Sequence, residues 1–410
     1  MQGVFMRGIV IFSFIFSFSI LALSAEDFRF TQNEGMEYRI VSEVQESVWF
    51  DTELLGQSSI LNRIGVKVVE SDGDGALLDV SYGISEKSLD SGLYIYNSDE
   101  MRQFYRSHRG VYGPIPLDEY LPSVRNIPTF PEREIEPGES WSEMAEEIHD
   151  LKHFFSLDYR LHIPFRVFYT YAGKDEYEGR SVDVIHINYH FLQGLDLYSL
   201  PVSVIPEDGV DLPEYVSGDF KQVYLWDPEA GIPAAVEEEF QIVYKMLSGV
   251  RYTFKGSASG KVVEADQWKK EDVRNQIEEA VVEMEDVSVS ISDDGVVLSL
   301  EDIHFKPDSA EFLPGEVEKL MQLKDILLQF PDHDLLITGH TARVGLSPDM
   351  GQGLSEDRAG AVASFLLSQE VRRDSQMVVQ GMGSREPLGD NSTEEGRRKN
   401  RRVEITILDN

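Results

Sequence analysis

The sequence predicts a multidomain α+β protein, and three observations carry that prediction. The first two thirds of the chain alternate apolar and polar residues with period two; a short acidic stretch follows with helical spacing; the last third alternates strands with helices. The expected architecture is a mostly antiparallel β domain, a barrel or sandwich, then a helical connector, then an α/β sandwich of helices on a mixed sheet.

The chain begins MQGVFMRGIVIFSFIFSFSILALSAEDF. A single Arg7 precedes an uncharged run that ends in small residues, which reads as a secretory signal over residues 1–25. The run is also just long enough to span a bilayer, so retention as an anchor is the alternative. Membrane contact is expected only in that case.

Residues 26–262 form the β-rich domain. MEYRIVSEVQESVWF, GVKVVESDGDGALLDVSYGI and FRVFYTYAGKDEYEGRSVDVIHINYHF all alternate and are rich in β-branched and aromatic residues. Hairpin turns are expected at residues 71–75 and 172–175. A tight turn at Pro137-Gly138 is expected to introduce a helix over residues 140–153. In residues 263–286, Val263, Trp268, Val273, Ile277, Val281 and Met284 recur every three to five positions in a charged background, the pattern of an acidic amphipathic linker.

Residues 287–410 alternate. VVLSLEDIHF, DLLITGH, QMVVQGMG and RRVEITIL read as strands. Between them, one helix presents Val317, Leu320, Leu323, Leu327 and Phe330, and a second is opened by Ser355.

Composition narrows the function. With 410 residues, 41% hydrophobic and 27% charged, the chain has enough apolar surface for more than one core. A net charge of -36 opposes binding to nucleic acid or to anionic membrane surfaces. There is no cysteine, hence no disulfide and no thiol for lipid attachment.

GHTARVG, then LSEDRAGAVASFL, then GMGSREPLGDNSTEEGRRKNRRVEITI, with IHFKPDSAEF upstream, resembles the OmpA-like C-terminal domain of bacterial envelope proteins. The resemblance covers about residues 287–408 and implies noncovalent binding of the peptidoglycan stem peptide. Its diamino acid carries an ammonium and a carboxylate on one carbon, so the family pairs an Asp with an Arg. An Arg grips a carboxylate through two parallel hydrogen bonds, and a carboxylate accepts from the ammonium.

Carried onto this chain, the site comprises Thr341, Ala342, Gly351, Leu354, Arg358 and Arg401. Arg358 is the family's Arg, but Ala342 stands where the family has Asp and Gly351 where it has Asn, and the loop between them is one residue longer. Asp349 is the candidate substitute carboxylate. Losing one partner of a buried charged pair typically costs about 2–5 kcal/mol, so the expectation is peptidoglycan binding that is weak or lost. The alternative is a functional peptidoglycan-binding protein that links the wall to the outer membrane or to a partner. A salt bridge to Glu356 or Asp357 is the structural role open to Arg358.

The remaining motifs carry less. The basic run 397–402 is expected to end the last helix and line a groove beside the final strand. His149 and His153 would share a helix face, but no glutamate completes a zinc motif; His186 and His190 are too far apart on a strand for one metal. GSASG at 256–260 has Ala258 where a nucleophile elbow needs Ser. No metal, cofactor or catalytic residue is implied. The expected role is structural, in the periplasm, with an envelope protein or a weakly held wall peptide as partner.

Overall fold

The computed structural model describes residues 25–116, 118–195, 211–264, 269–284, 286–292, 294–301, 305–306, 309–343 and 351–408, apart from the side chains of residues 153, 154 and 264. Residues 1–24, where a secretory signal is expected, Trp268 and Asp349 lie outside them.

The N-terminal strands are β1 (Glu37–Phe50), β2 (Glu53–Ser71), β3 (Gly75–Lys87), β4 (Tyr94–Ser107), β5 (Val124–Arg125), β6 (Ser140–Asp150), β7 (Arg160–Tyr177), β8 (Arg180–Gly194), β9 (Pro213–Asp227), β10 (Ile232–Met246) and β11 (Arg251–Glu264). A four-residue helix α1 (Lys152–Phe155) follows β6. Every pairing among these strands is antiparallel, and the sheet order runs β4-β3-β2-β1-β11-β10-β9-β8-β7-β6-β5.

Alternation dictates which face is dry. On β7, Leu161, Ile163, Phe165, Val167, Tyr169 and Tyr171 are all buried and pack with Ile185, Ile187, Tyr189 and Phe191 of β8. Phe28, Phe30 and Phe130 close over the same core, with Phe130 stacked on Phe28 and edge-to-face with Trp226. Each such side chain contributes about 1.5–3 kcal/mol by leaving water. The core is therefore held by one face of the sheet and the segments laid across it.

Helix α2 (Lys270–Val281) buries Val273, Ile277 and Val281 in the C-terminal core. The C-terminal half continues with β12 (Val287–Ile291), β13 (Gly295–Glu301), α3 (Glu316–Leu327), β14 (Leu335–His340), α4 (Gln352–Ser368), β15 (Met377–Gly383), α5 (Glu394–Asn400) and β16 (Arg402–Leu408), all but α5 contributing to that core. Its strand order is β12-β13-β16-β14-β15, with β14 and β15 parallel and the rest antiparallel. β15 then pairs in parallel with β4 through Val378 opposite Tyr94 and Val379 opposite Ile95, so both halves share one sixteen-stranded sheet among the described residues.

Among the described residues strand dominates, at 54% against 15% helix, so the structure is mostly β and the α+β expectation holds only in part. The helix expected over residues 140–153 is instead β6. Its Glu, Met and Ala favour helix locally, but all eleven residues pair with β7, and pairing over a buried face overrides propensity. The turn at Pro137-Gly138 does form and feeds this strand, with Gly138 at φ 91°.

Residues 71–75 make the expected hairpin, where Asp72 Oδ1 accepts from the amides of Asp74 and Gly75. The turn expected at 172–175 is a bulge inside β7; the chain reverses at Glu178-Gly179, both at positive φ. In α3 Leu320, Leu323 and Leu327 are buried as expected, whereas Val317 is 43% exposed and Ile326 takes its place.

Candidate functional site

Strand β14 delivers Thr341 and Ala342 to the start of helix α4. Thr341 N–H donates to Gly383 O of β15 at 2.7 Å, which fixes the chain as it leaves the sheet. Both residues are buried, and Thr341 Oγ1 has no hydrogen-bond partner among the described residues. Arg343 N–H then donates to Asn391 Oδ1 at 2.9 Å.

Helix α4 starts earlier than Ser355. Its N-cap is Gly351, at φ 94°, a left-handed conformation that suits glycine. A Cβ at residue 351 would lie 2.5 Å from Thr341 Oγ1. Ser355 is inside the helix instead; its hydroxyl donates to Gln352 O and accepts from Gly383 N–H, tying α4 to β15. Leu354 is half-buried.

Arg358, one turn further on, donates from Nε to Ser309 O at 3.1 Å, and its guanidinium lies 5.0 Å from the centre of the Phe305 ring. That stacking holds the cation in place. Thr341, Ala342 and Gly351 are thus brought together. Arg401 is not turned toward them: it donates to Glu394 Oε1 at 2.9 Å.

The basic run is internally matched. Arg397 also binds Glu394, Lys399 faces Glu395, and Arg402 donates to Glu404 Oε1. Asn400, the one uncharged residue of that run, is the structural member: 1% exposed, it exchanges hydrogen bonds with Gly389 and donates to Asn391 Oδ1. A fully buried amide inside a basic run is not visible as charge, and nothing in its spacing announces it.

Just before Thr341, His340 Nε2 lies 3.5 Å from Glu404 Oε2. Burial works against ionisation of Glu404, yet its contacts with His340 and Arg402 overcome this and bring the carboxyl down to about 2.

Elsewhere, the histidine pair at 149 and 153 does not share a helix face, because His149 is on β6. Its Nε2 is 2.9 Å from Glu147 Oε1 and its Nδ1 meets the Tyr244 hydroxyl. His186 and His190 lie on the exposed face of β8. Residues 256–260 are interior to β11, with no strand-to-helix turn. Among the described residues, no group of three His, Cys, Asp or Glu is placed to hold a metal, and no helix is long and apolar enough to cross a membrane.

Residues 304–401 match the OmpA family. The chain is 40% identical over 82 residues to the probable lipoprotein YiaD of Escherichia coli, which is 20% of this chain and 36% of that one. It is 41% identical over 88 residues to the peptidoglycan-binding protein ArfA of Mycobacterium tuberculosis, 22% of this chain and 26% of that one. The chain thus spans roughly a quarter to a third of the length of these relatives. Among solved structures it is similar to the cell wall anchor of the T6SS from Pseudomonas aeruginosa, at 26% identity over 33% of this chain and 96% of that one, with a TM-score of 0.29.

Proposed function

We propose that this chain, with an OmpA-family domain at its C-terminal end, is an exported, non-enzymatic scaffold of the bacterial cell envelope. In this reading residues 1–25 are a removed signal peptide, residues 26–262 a β-rich domain, 263–286 a linker and 287–410 the OmpA-like domain. The relatives' names support the envelope setting and, for one of them, peptidoglycan binding. The domain here keeps that fold with the peptidoglycan site weakened or silent.

The observation that carries the reading is Ala342. A buried methyl stands where the resemblance calls for a carboxylate, and a methyl accepts nothing from an ammonium. Gly351 adds no amide, and Arg358 is already engaged by Ser309 O and Phe305. A competent site is the second reading, and Thr341 favours it: its buried, unpartnered hydroxyl is an acceptor next to the lost one. A neutral hydroxyl replaces a charge-assisted bond with one roughly half as strong.

Sedimentation with purified peptidoglycan tests the choice, using the full-length chain beside Ala342→Asp and Arg358→Ala. The expected result is a natural chain that stays in the supernatant and an Ala342→Asp chain that sediments. Sedimentation of the natural chain, abolished by Arg358→Ala, would establish the second reading.

A further inference from the structure

The face of the β domain opposite its aromatic core bends into an open trough of about 1030 Å³. One register row crosses it on six consecutive strands: Phe168 of β7, Asn188 of β8, Lys221 of β9, Glu239 of β10, Ser257 of β11 and Gln45 of β1. The floor is set by the small residues of β11. Gly256 lets that strand run close to β1, since a Cβ there would lie 2.1 Å from Gln45 O, and Ser257 leaves a low point between Glu239 and Gln45. The first two residues of the GSASG run, which has no catalytic geometry, thereby line the groove.

Three properties of this trough bear on its occupant. Its charges nearly cancel: Lys221 and Lys255 stand against Asp51, Asp219 and Glu239, in a chain whose net charge is -36. Four of its polar side chains are uncommitted: among the described residues those of Asn188, Lys221, Glu239 and Lys255 make no hydrogen bond or ion pair within the protein, whereas Gln45, Ser47 and Asp51 are tied to neighbours on or beside the strands. It also carries aromatic surface near the row, with Phe168 48% exposed and the Trp49 indole N–H held by Ser47 Oγ at 3.1 Å.

These properties exclude simpler ligands. A lipid chain would leave the amide and charged groups dry and unpaired. A polyanion would meet three carboxylates. A neutral sugar chain matches instead: its hydroxyls donate to and accept from side chains of both signs, and the C–H faces of its rings lie on aromatic rings. We propose that this trough binds a neutral oligosaccharide chain laid across strands β7 to β1. The site is remote in sequence from the C-terminal groove and works whether or not that groove holds a stem peptide.

Calorimetric titration of the full-length chain with chitohexaose and with maltohexaose, both free of peptide, tests it. Binding of at least one is expected, weakened about tenfold or more by Trp49→Ala, as for loss of a stacking ring. Glu239→Gln, which preserves shape on an exposed strand position, should weaken it as well. Arg358→Ala should leave it unchanged, which separates this site from the peptidoglycan reading. The proposal is overturned if neither saccharide gives heat, if Trp49→Ala and Glu239→Gln both bind like the natural chain, or if phosphatidylglycerol vesicles or an acidic peptide bind and the saccharides do not.

Discussion

Arg63 and Asp334 form an ion pair across the junction of the two halves: Arg63 Nη2 is 2.8 Å and Nε 3.3 Å from the same Asp334 Oδ2. Arg63 belongs to β2, and Asp334 immediately precedes β14. With side-chain exposures of 18% and 8%, the pair is largely removed from water. Removing one partner of such a pair strands the other and typically costs about 3–5 kcal/mol. We expect Asp334→Ala to lower stability by roughly that amount, discounted somewhat for the partial exposure of Arg63. Hydrogen exchange should locate the effect, with faster exchange in β4 and β15 and no change in the middle of β8. Unchanged exchange at β4 and β15 would mean the pair does not hold the halves together.

Tyr94 gives a second handle on the same junction. It is fully buried, its hydroxyl donates to Glu43 Oε1 at 2.9 Å and lies 2.7 Å from Ser59 Oγ, and its ring packs on Leu61 and Val378. Tyr94→Phe keeps the packing and deletes both hydrogen bonds. A loss of about 1–3 kcal/mol is expected in denaturant unfolding, because Glu43 and Ser59 lose a partner in a half-buried setting.

Gly351 yields a prediction at the candidate site itself. Its left-handed φ and the 2.5 Å approach to Thr341 Oγ1 both resist a side chain. Gly351→Asn, the substitution toward the family's residue, should therefore destabilise by about 1–2 kcal/mol even though Asn tolerates this conformation better than most residues. Thr341→Ala should recover part of the loss by vacating the contact. If Gly351→Asn melts at the natural temperature, the tight approach is not a constraint, and restoring Ala342→Asp and Gly351→Asn together becomes feasible.

The C-terminal half was legible because its motifs are local. The strand and helix patterns lie within single elements, and Leu320, Leu323 and Leu327 recur at helical spacing that burial respects. The strand β6 was not legible, since its Met, Ala and Glu satisfy helical spacing and only the β7 partner decides otherwise. The junction was invisible for a similar reason. Arg63 and Asp334 are 271 positions apart, and no periodicity links residues that meet only after both sheets have formed. At the candidate site the motif positions were readable, but the role of Gly351 was not: its constraint is the hydroxyl of Thr341, which arrives from the end of β14 while Gly351 opens α4.

Glu404 makes the C-terminal half pH-sensitive with a definite sign. Its carboxyl titrates at about 2 in the folded chain against an ordinary 4.5. A depressed value means the folded state favours the ionised form. The resulting stability is therefore present above pH 4.5 and is lost as the pH falls from there toward 2. The shift corresponds to about 3 kcal/mol at neutral pH, an upper figure because Glu404 is partly exposed. Glu404→Gln should be less stable than the natural chain at pH 7 by on the order of 2–3 kcal/mol. The difference should shrink steadily between pH 4.5 and 2, because both chains then carry a neutral group beside His340 and Arg402. Denaturant unfolding of the two chains at a series of pH values measures that difference directly, and subtracting one from the other cancels the other carboxylates that titrate in the same window. A difference that stays constant down to pH 2 would show that Glu404 acts through shape rather than charge.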